Sequence, residues 1–491
     1  MKYLNLMLLS AITSIECFAQ QQTDTFRQQY EAFKKQKQTE YTDFRQKANR
    51  EYAEFMRKAW VWHQAKPGLP MPVKPDPPIP IPPPPIIDSS KPLKENITPY
   101  RAIFNIPPVI EQPAPIAPIP EVKQAEGNFR FRSYGTKMQV RLNENHRFTL
   151  PSTKEADVAD VWELLSGTAY NNLIRDCLAI RTRYQLCDWA YLNTLEQLAN
   201  SFLGAETPEA TLLQAFLLHQ SGYLVRLGRS KSDRLYMLIA SRHIIYNMNF
   251  FDIDDKQFYP LHYKEDGLYI YNHAFPKEQQ LSLEVNREQR FDVNPLPPRT
   301  LQSKGKYPLS VTLTFNKNLM DFYNTYPQPY INNDGTTKWR FYARAPLCHT
   351  VKEKLYPVLQ IAINGKSEQE AANILINFVQ TSLTYGYDDE IWGGDRPFFA
   401  DETLYYPYSD CEDRAILFSN LIRDLLHLDT VLLYYPGHLA MAVCFHEETG
   451  GQTLVINNKK FTYCEPTCSG YAPTGWCPQD LVSVQPEVIL Y

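Results

Sequence analysis

Half of the chain's 38 prolines fall between residues 67 and 120, and no other feature constrains the fold as strongly. Such a stretch lacks many of the backbone N–H donors that helices and sheets need, and it favours an extended polyproline II conformation. We therefore predict a semi-rigid spacer over residues 67–122, since a spacer role is commoner than a recognition motif. It separates an N-terminal arm from the rest of the 491-residue chain.

The beginning of the chain has the character of an export signal. A short positive start precedes a mostly apolar run, and the small residues Cys17 and Ala19 stand where a signal peptidase reads the chain. We predict that residues 1–19 are a signal peptide, and that the mature protein is exported to the periplasm or the cell envelope. A lipid anchor on Cys17 is the weaker alternative, because Glu16 occupies a position that requires a small residue.

Residues 20–66 are predicted to form an amphipathic helical arm. Pairs of aromatic residues recur in it every eleven residues, which keeps them on one nearly straight stripe of a helix. The pairs are Tyr30 and Phe33, Tyr41 and Phe44, and Tyr52 and Phe55. So narrow a stripe needs a partner. We expect it to pack on its own protein or a second copy, with docking to an envelope partner as the alternative.

The rest of the chain is globular in composition, and we predict an α+β protein. A mixed α/β domain is expected over residues 123–345 and a second domain over residues 346–491. The net charge of −4 argues against nucleic-acid binding. After the first twenty residues no run of 18 apolar positions occurs, so we predict no transmembrane span.

Eight cysteines follow the predicted cleavage site, and export would allow some of them to form disulfides. Cys177 is close in sequence to Cys187, and Cys464 is close to both Cys468 and Cys477. The sequence does not determine the connectivity. The spacings do not form two matched CxxC pairs, so we expect no structural zinc site and assign no metal.

Cys411 is the first candidate catalytic residue. It precedes a segment whose apolar residues are spaced as on one face of a helix: Ile416, Leu417, Leu421, Ile422 and Leu425. The backbone N–H groups at a helix start favour a thiolate, the nucleophilic form of cysteine. Glu412 and Asp413 also suit a helix start for purely structural reasons, and a lone cysteine there is more often structural than catalytic.

His438 and Glu465 complete a possible triad. His438 begins an alternating strand, on which it shares one face with Ala440, Ala442 and Cys444. Glu465 ends the following predicted strand, directly before Pro466. A cysteine, a histidine and a carboxylate in this order are the groups of nucleophilic thiol catalysis.

These segments resemble the bacterial transglutaminase-like superfamily. The matching motifs are Asp-Cys-Glu-Asp-Arg at 410–414, Tyr-Pro-Gly-His at 435–438 and Tyr-Cys-Glu-Pro-Thr at 463–467. Their order agrees with the family, and the resemblance covers roughly residues 350–478. It implies a papain-like core whose members are mostly thiol hydrolases, with some transamidases.

By this resemblance Cys411 is the nucleophile, His438 the base and Glu465 the orienting acid. The family usually has aspartate before Pro-Thr, so Glu465 departs from the family pattern by one methylene. Asp410 and Glu412 also match a segment of periplasmic adhesin-cleaving proteases that hold calcium beside the cysteine. Because the same residues suit a helix start, we expect no metal and no cofactor.

The loop before Cys411 is rich in glycine, aromatic and acidic residues, so we expect it to line the cleft. Tyr387 and Trp392 are candidates for contacting a substrate, although aromatic residues that merely cover the site would look the same.

An internal similarity raises a further hypothesis. Residues 210–239 parallel residues 415–443 in the lengths of a helix, a loop and a strand. This alignment places Glu206 near the position of Cys411 and Arg234 at that of His438, so the first copy would be an inactive papain-like lobe. Chance similarity explains the pattern equally well.

The sequence favours an exported cysteine peptidase or amidase that cleaves or transfers an amide or isopeptide bond of protein or cell-wall peptide. The alternative is a catalytically inactive envelope protein, which uses the same fold to bind peptide and the aromatic arm to dock or assemble.

Overall fold

The computed structural model describes residues 2–69, 93–105, 111–123, 127–271, 277–331 and 335–491. The side chains of the first 26 residues and of Gln28 lie outside this description, so it does not address the predicted cleavage site. The same holds for residues 70–92, the most proline-dense part of the predicted spacer.

Helices and strands both contribute extensively to the described residues, which confirms the coarser part of the α+β prediction, that helices and sheets are mixed. The α-helices are α1 Lys2–Met56, α2 Glu155–Leu165, α3 Asn171–Arg183, α4 Asp188–Leu203, α5 Pro208–Gln220, α6 Lys317–Thr325, α7 Trp339–Arg344, α8 His349–Ile363, α9 Glu368–Ser382, α10 Asp388–Trp392, α11 Ala400–Tyr405 and α12 Cys411–Leu426. No helix in the described part of the chain is both long enough and apolar enough to cross a membrane.

The strands form several sheets, of which two are large. The strands are β1 Val61–Gln64, β2 Asn96–Ile97, β3 Ala102–Phe104, β4 Phe129–Ser133, β5 Thr136–Val140, β6 Val225–Arg229, β7 Leu235–Ala240, β8 Ile244–Ile245, β9 Phe251–Ile253, β10 Lys256–Pro260, β11 Gly267–Ile270, β12 Arg299–Gln302, β13 Ser310–Leu313, β14 Pro329–Tyr330, β15 Thr384–Tyr385, β16 Tyr408–Ser409, β17 Asp429–Tyr435, β18 His438–Cys444, β19 Gln452–Ile456, β20 Lys459–Cys464 and β21 Glu487–Ile489.

The last aromatic pair of α1 packs on the protein's own globular part. Tyr52 is 1% exposed, its ring stacks on Trp162 with centroids 4.8 Å apart, and its hydroxyl donates to the carbonyl of Val225 at 3.0 Å. The two earlier pairs are solvent-exposed, with Tyr41 39% and Phe33 57% accessible. Only the C-terminal part of the aromatic stripe is therefore an anchor in the monomer.

The described parts of residues 67–122 differ from a plain spacer. β2 pairs in parallel with β19, and β3 pairs in parallel with β21, so this segment supplies both edges of one sheet. Both strands lie between proline clusters, where short runs keep the N–H groups that pairing requires. The segment therefore pairs with the C-terminal unit, by which we mean helices α9 and α12 with the sheet of β17 to β21, and does not act only as a spacer. The N-terminal unit is correspondingly helices α4 and α5 with the sheet of β6, β7, β9, β10 and β11.

The two large sheets share a strand order. The N-terminal sheet contains β11-β6-β7-β10-β9, and the C-terminal sheet contains β21-β17-β18-β20-β19, with every neighbouring pair antiparallel. In each unit a helix immediately precedes the first strand of the hairpin and packs on it: α5 on β6 and β7, and α12 on β17 and β18. A repeated unit would show these correspondences.

The units differ most in the segment before that helix. In the N-terminal unit four residues join α4 to α5, which pack together. In the C-terminal unit α9 packs on α12, but residues 383–410 intervene, with β15, α10, α11 and β16. This additional segment surrounds the start of α12. Within the described residues the N-terminal unit has no equivalent segment, so the predicted site can form only in the C-terminal unit.

The residues that correspond to the triad in the N-terminal unit cannot perform thiol chemistry. The turns Asp254-Asp255 and Asn457-Asn458 both have positive φ at each residue, and counting onward from them places His262 at the position of Glu465. Arg234 stands at the position of His438 and forms an ion pair with Glu206 at 3.4 Å. This charged cluster contains no cysteine.

One continuous apolar core joins the two units, because buried side chains of α4 and α5 belong to the same hydrophobic cluster as those of α9 and α12. The eight cysteines from Cys177 to Cys477 are all free thiols. Burial raises the pKa of Cys187 to about 12 and that of Cys468 to about 11, so these thiols remain protonated and unreactive at neutral pH.

We expect Tyr52→Ala to lower the free energy of unfolding by about 3 kcal/mol, because it empties a packed site and removes a hydroxyl contact. Tyr41→Ala is the matched control from the preceding repeat, and should change it by less than about 0.5 kcal/mol. Urea denaturation measures both. Equal losses in the two variants would contradict the assignment of the anchor.

Candidate active site

Cys411 is the first residue of α12, as the apolar spacing predicted. The N-cap is Asp410, whose backbone N–H donates to Asp413 Oδ2 at 3.2 Å and thereby closes the first turn. Cys411 is 4% exposed, and its Sγ–H donates to Glu412 Oε2 at 3.1 Å. The thiol thus lies at a helix start, beside a carboxylate of its own turn.

Short connections place His438 at the same end of the unit as Cys411. Two residues separate α12 from β17, so β17 runs back along the helix. β18 is antiparallel to β17 and packs on α12, which returns the chain to the helix start. His438 is the first residue of β18, and this topology therefore brings the two candidate groups to one edge of the α/β layer.

His438 and Glu465 form a buried hydrogen-bonded pair. His438 Nε2 and Glu465 Oε2 are 2.9 Å apart, and the two side chains are 8% and 0% exposed. Because Nε2 is engaged by the carboxylate, Nδ1 is the nitrogen that remains for a thiol. Glu465 also accepts from the Tyr463 hydroxyl at 2.5 Å and from the Thr467 N–H at 3.0 Å.

The electrostatics of Glu465 favour its charged form. Burial alone would raise the pKa of this carboxyl, but the charge of His438 and the hydrogen bonds from His438, Tyr463 and Thr467 hold the pKa below its ordinary value. A carboxylate that stays ionised can hold one imidazole tautomer and stabilise the imidazolium form.

Two residues that sequence reasoning did not assign connect the helix start to this pair. Gln380 of α9 donates from Nε2 to the carbonyls of Glu465, at 2.7 Å, and Ala472, at 3.0 Å. Arg414 donates to the carbonyl of Gln380 at 3.4 Å and to that of Leu383 at 3.1 Å. Arg414 belongs to the motif Asp-Cys-Glu-Asp-Arg at 410–414, but no local pattern in the sequence distinguishes Gln380 from other polar helix residues.

Part of the loop before α12 borders the site, in agreement with the expectation that this loop lines the cleft. The guanidinium of Arg414, in the first turn of the helix that Cys411 begins, lies over the Tyr385 ring at 5.4 Å. Burial first, and then the charges of Cys411 and Asp410, raise the pKa of Tyr385. The rings of Tyr385 and Tyr387 meet edge to face at 5.3 Å. Trp392 instead packs against Phe398, Tyr406 and the guanidinium of Arg396, which favours the covering role for this residue.

A pocket of about 410 Å³ is lined by Gln380 and Thr467, two residues that form hydrogen bonds with Glu465, whereas Cys411, His438 and Glu465 themselves are not among its lining residues. The other residues of its lining include Arg414, Tyr385, Gly470, Tyr471 and Lys304. The pocket is large enough for a small peptide segment.

Buried carboxylates surround the start of α12. Oxygen atoms of Asp388, Asp410 and Asp413 lie within 4.8 Å of one another, and so do those of Asp388, Asp395 and Glu412. All five residues are at most 7% exposed. Oxygen donors at this density suit a hard divalent cation such as Ca²⁺, so these are the residues of the described chain that can hold one.

Without a cation the cluster must retain protons. Burial, followed by the charges of Asp388 and Glu412, raises the pKa of Asp413 well above its ordinary value. Acidic groups packed this closely cannot all be charged without a large electrostatic cost.

No protein-family model, no curated protein and no solved structure matches this chain. The resemblance to the transglutaminase-like superfamily therefore remains a prediction from the sequence motifs.

The raised pKa of Asp413 predicts a pH-dependent stability. The folded chain keeps a proton that the unfolded chain releases near pH 4, so stability is full below that pH and is lost as the pH rises through the folded pKa. Asp388→Asn removes a neighbouring charge. The variant should therefore lose less unfolding free energy between pH 5 and pH 8, by roughly 1.4 kcal/mol for each unit by which the pKa of Asp413 returns towards its ordinary value.

Urea unfolding in EDTA at both pH values tests this expectation, since a bound cation would balance the same charges. Asp389→Asn is the control, because Asp389 is adjacent in sequence but exposed. If the two variants lost stability with pH to the same extent as the unmodified chain, the account of the cluster would be wrong.

Proposed function

We propose that this protein is an exported thiol hydrolase that cleaves, or transfers, an amide or isopeptide bond of protein or cell-wall peptide. The observation that carries the proposal is the buried His438–Glu465 pair, which leaves Nδ1 available at the end of the unit where α12 begins with Cys411. A helix start, a strand start and an orienting carboxylate are the elements of a cysteine–histidine–acid triad.

The longer acid is compatible with this role. In the transglutaminase-like motif an aspartate usually precedes Pro-Thr, and here Glu465 spans the additional length and still meets His438 at 2.9 Å. The Thr467 N–H and the Tyr463 hydroxyl hold the carboxylate from two further directions. Three donors on one carboxylate restrict its rotamers, which offsets the freedom that the extra methylene adds.

In the proposed reaction His438 accepts the Cys411 proton, and the sulfur attacks the carbonyl carbon of the substrate. The C–N bond then breaks as His438 gives the proton to the leaving amine, and an acyl thioester remains on Cys411. A water molecule, activated by His438, attacks the thioester and restores the thiol, or an amine takes the place of water in a transfer. The Cys411 backbone N–H contributes one donor to the oxyanion.

The pocket lined by Gln380 and Thr467, which both form hydrogen bonds with Glu465, supports a peptide substrate. Arg414 and Lys304 present positive charge, and the rings of Tyr385 and Tyr471 present flat apolar surface. A chain with carbonyl groups and an occasional carboxylate suits such walls. Export to the periplasm or the cell envelope belongs to the same proposal, and its support is the signal-like character of residues 1–19.

A second candidate function is peptide binding without catalysis. It is favoured by the hydrogen bond from the Cys411 thiol to Glu412, which engages the thiol proton away from an imidazole, and by the exposed aromatic residues of α1. In that case the fold would bind peptide, and the arm would dock or assemble.

The two candidates differ in their reaction with p-nitrophenyl acetate, an activated ester that acylates nucleophilic thiols. We expect a burst of about one nitrophenolate per chain, abolished in Cys411→Ala and slowed at least about 100-fold in His438→Ala. Cys444→Ala is the control, because Cys444 is the half-buried thiol at the far end of β18. Stopped-flow absorbance measures the burst.

Intact mass spectrometry of the quenched reaction locates the acetyl group. An acetyl thioester on Cys411 supports the hydrolase. A burst that survives Cys411→Ala, or the absence of any burst, would favour the binding protein.

A further inference from the structure

A second polar pocket lies away from the proposed active site, between the N-terminal unit and α7. It has a volume of about 320 Å³, within the range of small-molecule sites. The residues that follow β7, the start of α4, the segment 280–287 and the end of α7 form its walls. The charged and ionisable side chains among them include Asp188, Arg242, His243, Glu284, Arg287 and Arg344.

Positive charge exceeds negative charge around this pocket. Arg340 Nη1 lies 3.0 Å from Glu284 Oε1, and Arg344 Nε lies 3.5 Å from Glu284 Oε2, so one carboxylate serves two arginines. Among the residues that the structure describes, Arg242 donates to neutral oxygens, the Gln280 carbonyl at 3.2 Å and the Gln279 side chain at 3.4 Å.

The other carboxylate of the pocket, that of Asp188, already accepts hydrogen bonds from neutral groups. Asp188 accepts from the Tyr223 hydroxyl at 2.7 Å, the Gln112 amide at 2.9 Å and the Ser282 N–H at 2.9 Å. Within the described residues, Arg287 has no carboxylate within ion-pair distance. Four arginines therefore share two acids, and a carboxylate or phosphate would balance the excess.

Arg340 shows that the excess reaches into the interior. It is 2% exposed, and its Nε and Nη2 atoms make no hydrogen bond to any part of the chain that the structure describes. It lies one turn before Arg344 on α7, so the two guanidinium groups project from the same side of that helix. A buried cation with unmade hydrogen bonds is costly unless a further anion approaches.

His243 adds a neutral donor to the same wall. Its Nδ1 accepts from the Leu283 N–H at 3.1 Å, which leaves the proton on Nε2. Burial, with Arg340 and Arg242 nearby, lowers the pKa of His243 to about 3, so the ring stays neutral at physiological pH. A neutral ring can donate to an oxyanion without adding another buried charge.

We propose that this pocket is a binding site for a small oxyanion, the carboxylate or phosphate group of a small molecule, held by Arg242, Arg287 and Arg344. The site is separate from Cys411 and does not depend on the thiol chemistry. Bidentate guanidinium contacts with planar or tetrahedral oxyanions are the interaction for which arginine is best suited.

The test is titration of the full mature chain with inorganic phosphate and, separately, with succinate, at constant ionic strength maintained with chloride. Isothermal calorimetry should show one saturable site for at least one probe. The melting temperature should rise with probe concentration as expected for a ligand of the folded state. Phosphate and succinate distinguish a tetrahedral from a planar oxyanion as the preferred ligand.

Arg242→Gln and Arg287→Gln should each weaken binding at least tenfold without unfolding the chain, since neither removes a described ion pair. Arg290→Gln is the matched control, because Arg290 is exposed three residues from Arg287 and does not line the pocket. Circular dichroism checks the fold of each variant. The absence of saturable binding by both probes, or equal weakening in the control, would overturn the proposal.

Discussion

The arrangement of the C-terminal unit depends on the burial of charge at the beginning of α12. Asp410, Glu412, Asp413 and Arg414 are each at most 1% exposed, in the first turn of a helix that the core surrounds. Buried charges are tolerated only where hydrogen bonds or opposite charges satisfy them. The segments that supply these partners are therefore fixed around the helix start, and this constraint shapes the site.

The partners come from both sides of the helix. Asp413 accepts from the Phe398 N–H at 2.9 Å, which holds the additional segment 383–410 against the helix. Arg414 connects α12 to the end of α9, and Gln380 continues the connection to the carbonyl of Glu465. The group that orients His438 is thus linked to the turn that carries Cys411, through three hydrogen-bonded elements distant in sequence.

The N-terminal unit shows what the same architecture looks like without this constraint. It has the same five-strand order and a helix in the same place, but four residues replace the segment 383–410. The residues at the equivalent positions, Arg234 and His262, are largely solvent-exposed and form ion pairs with Glu206 and Glu196, respectively. The comparison indicates that the additional segment, and not the sheet, makes a buried site.

Local patterns in the sequence predicted much of this and failed where partners are distant. The apolar spacing after Cys411, the alternation after His438 and the serine cap of α9 at Ser367 correspond to the observed elements. The role of Gln380 and the edge strands within residues 93–105 depend on contacts between residues about 85 to 385 positions apart. Such contacts produce no periodic pattern in the sequence. Nor does any local pattern indicate that Tyr52 is buried while Tyr41 is exposed.

The central claim is that His438 activates Cys411, and the most direct measurement is the rate of Cys411 alkylation by iodoacetamide as a function of pH. Peptide mapping of the reduced chain follows each thiol, with Cys444 as the half-buried comparator. We predict that Cys411 reacts at pH 6 to 7 at least tenfold faster than Cys444, and that His438→Ala abolishes this advantage. A Cys411 rate that only parallels that of Cys444 with rising pH, and is unchanged in His438→Ala, would contradict the account.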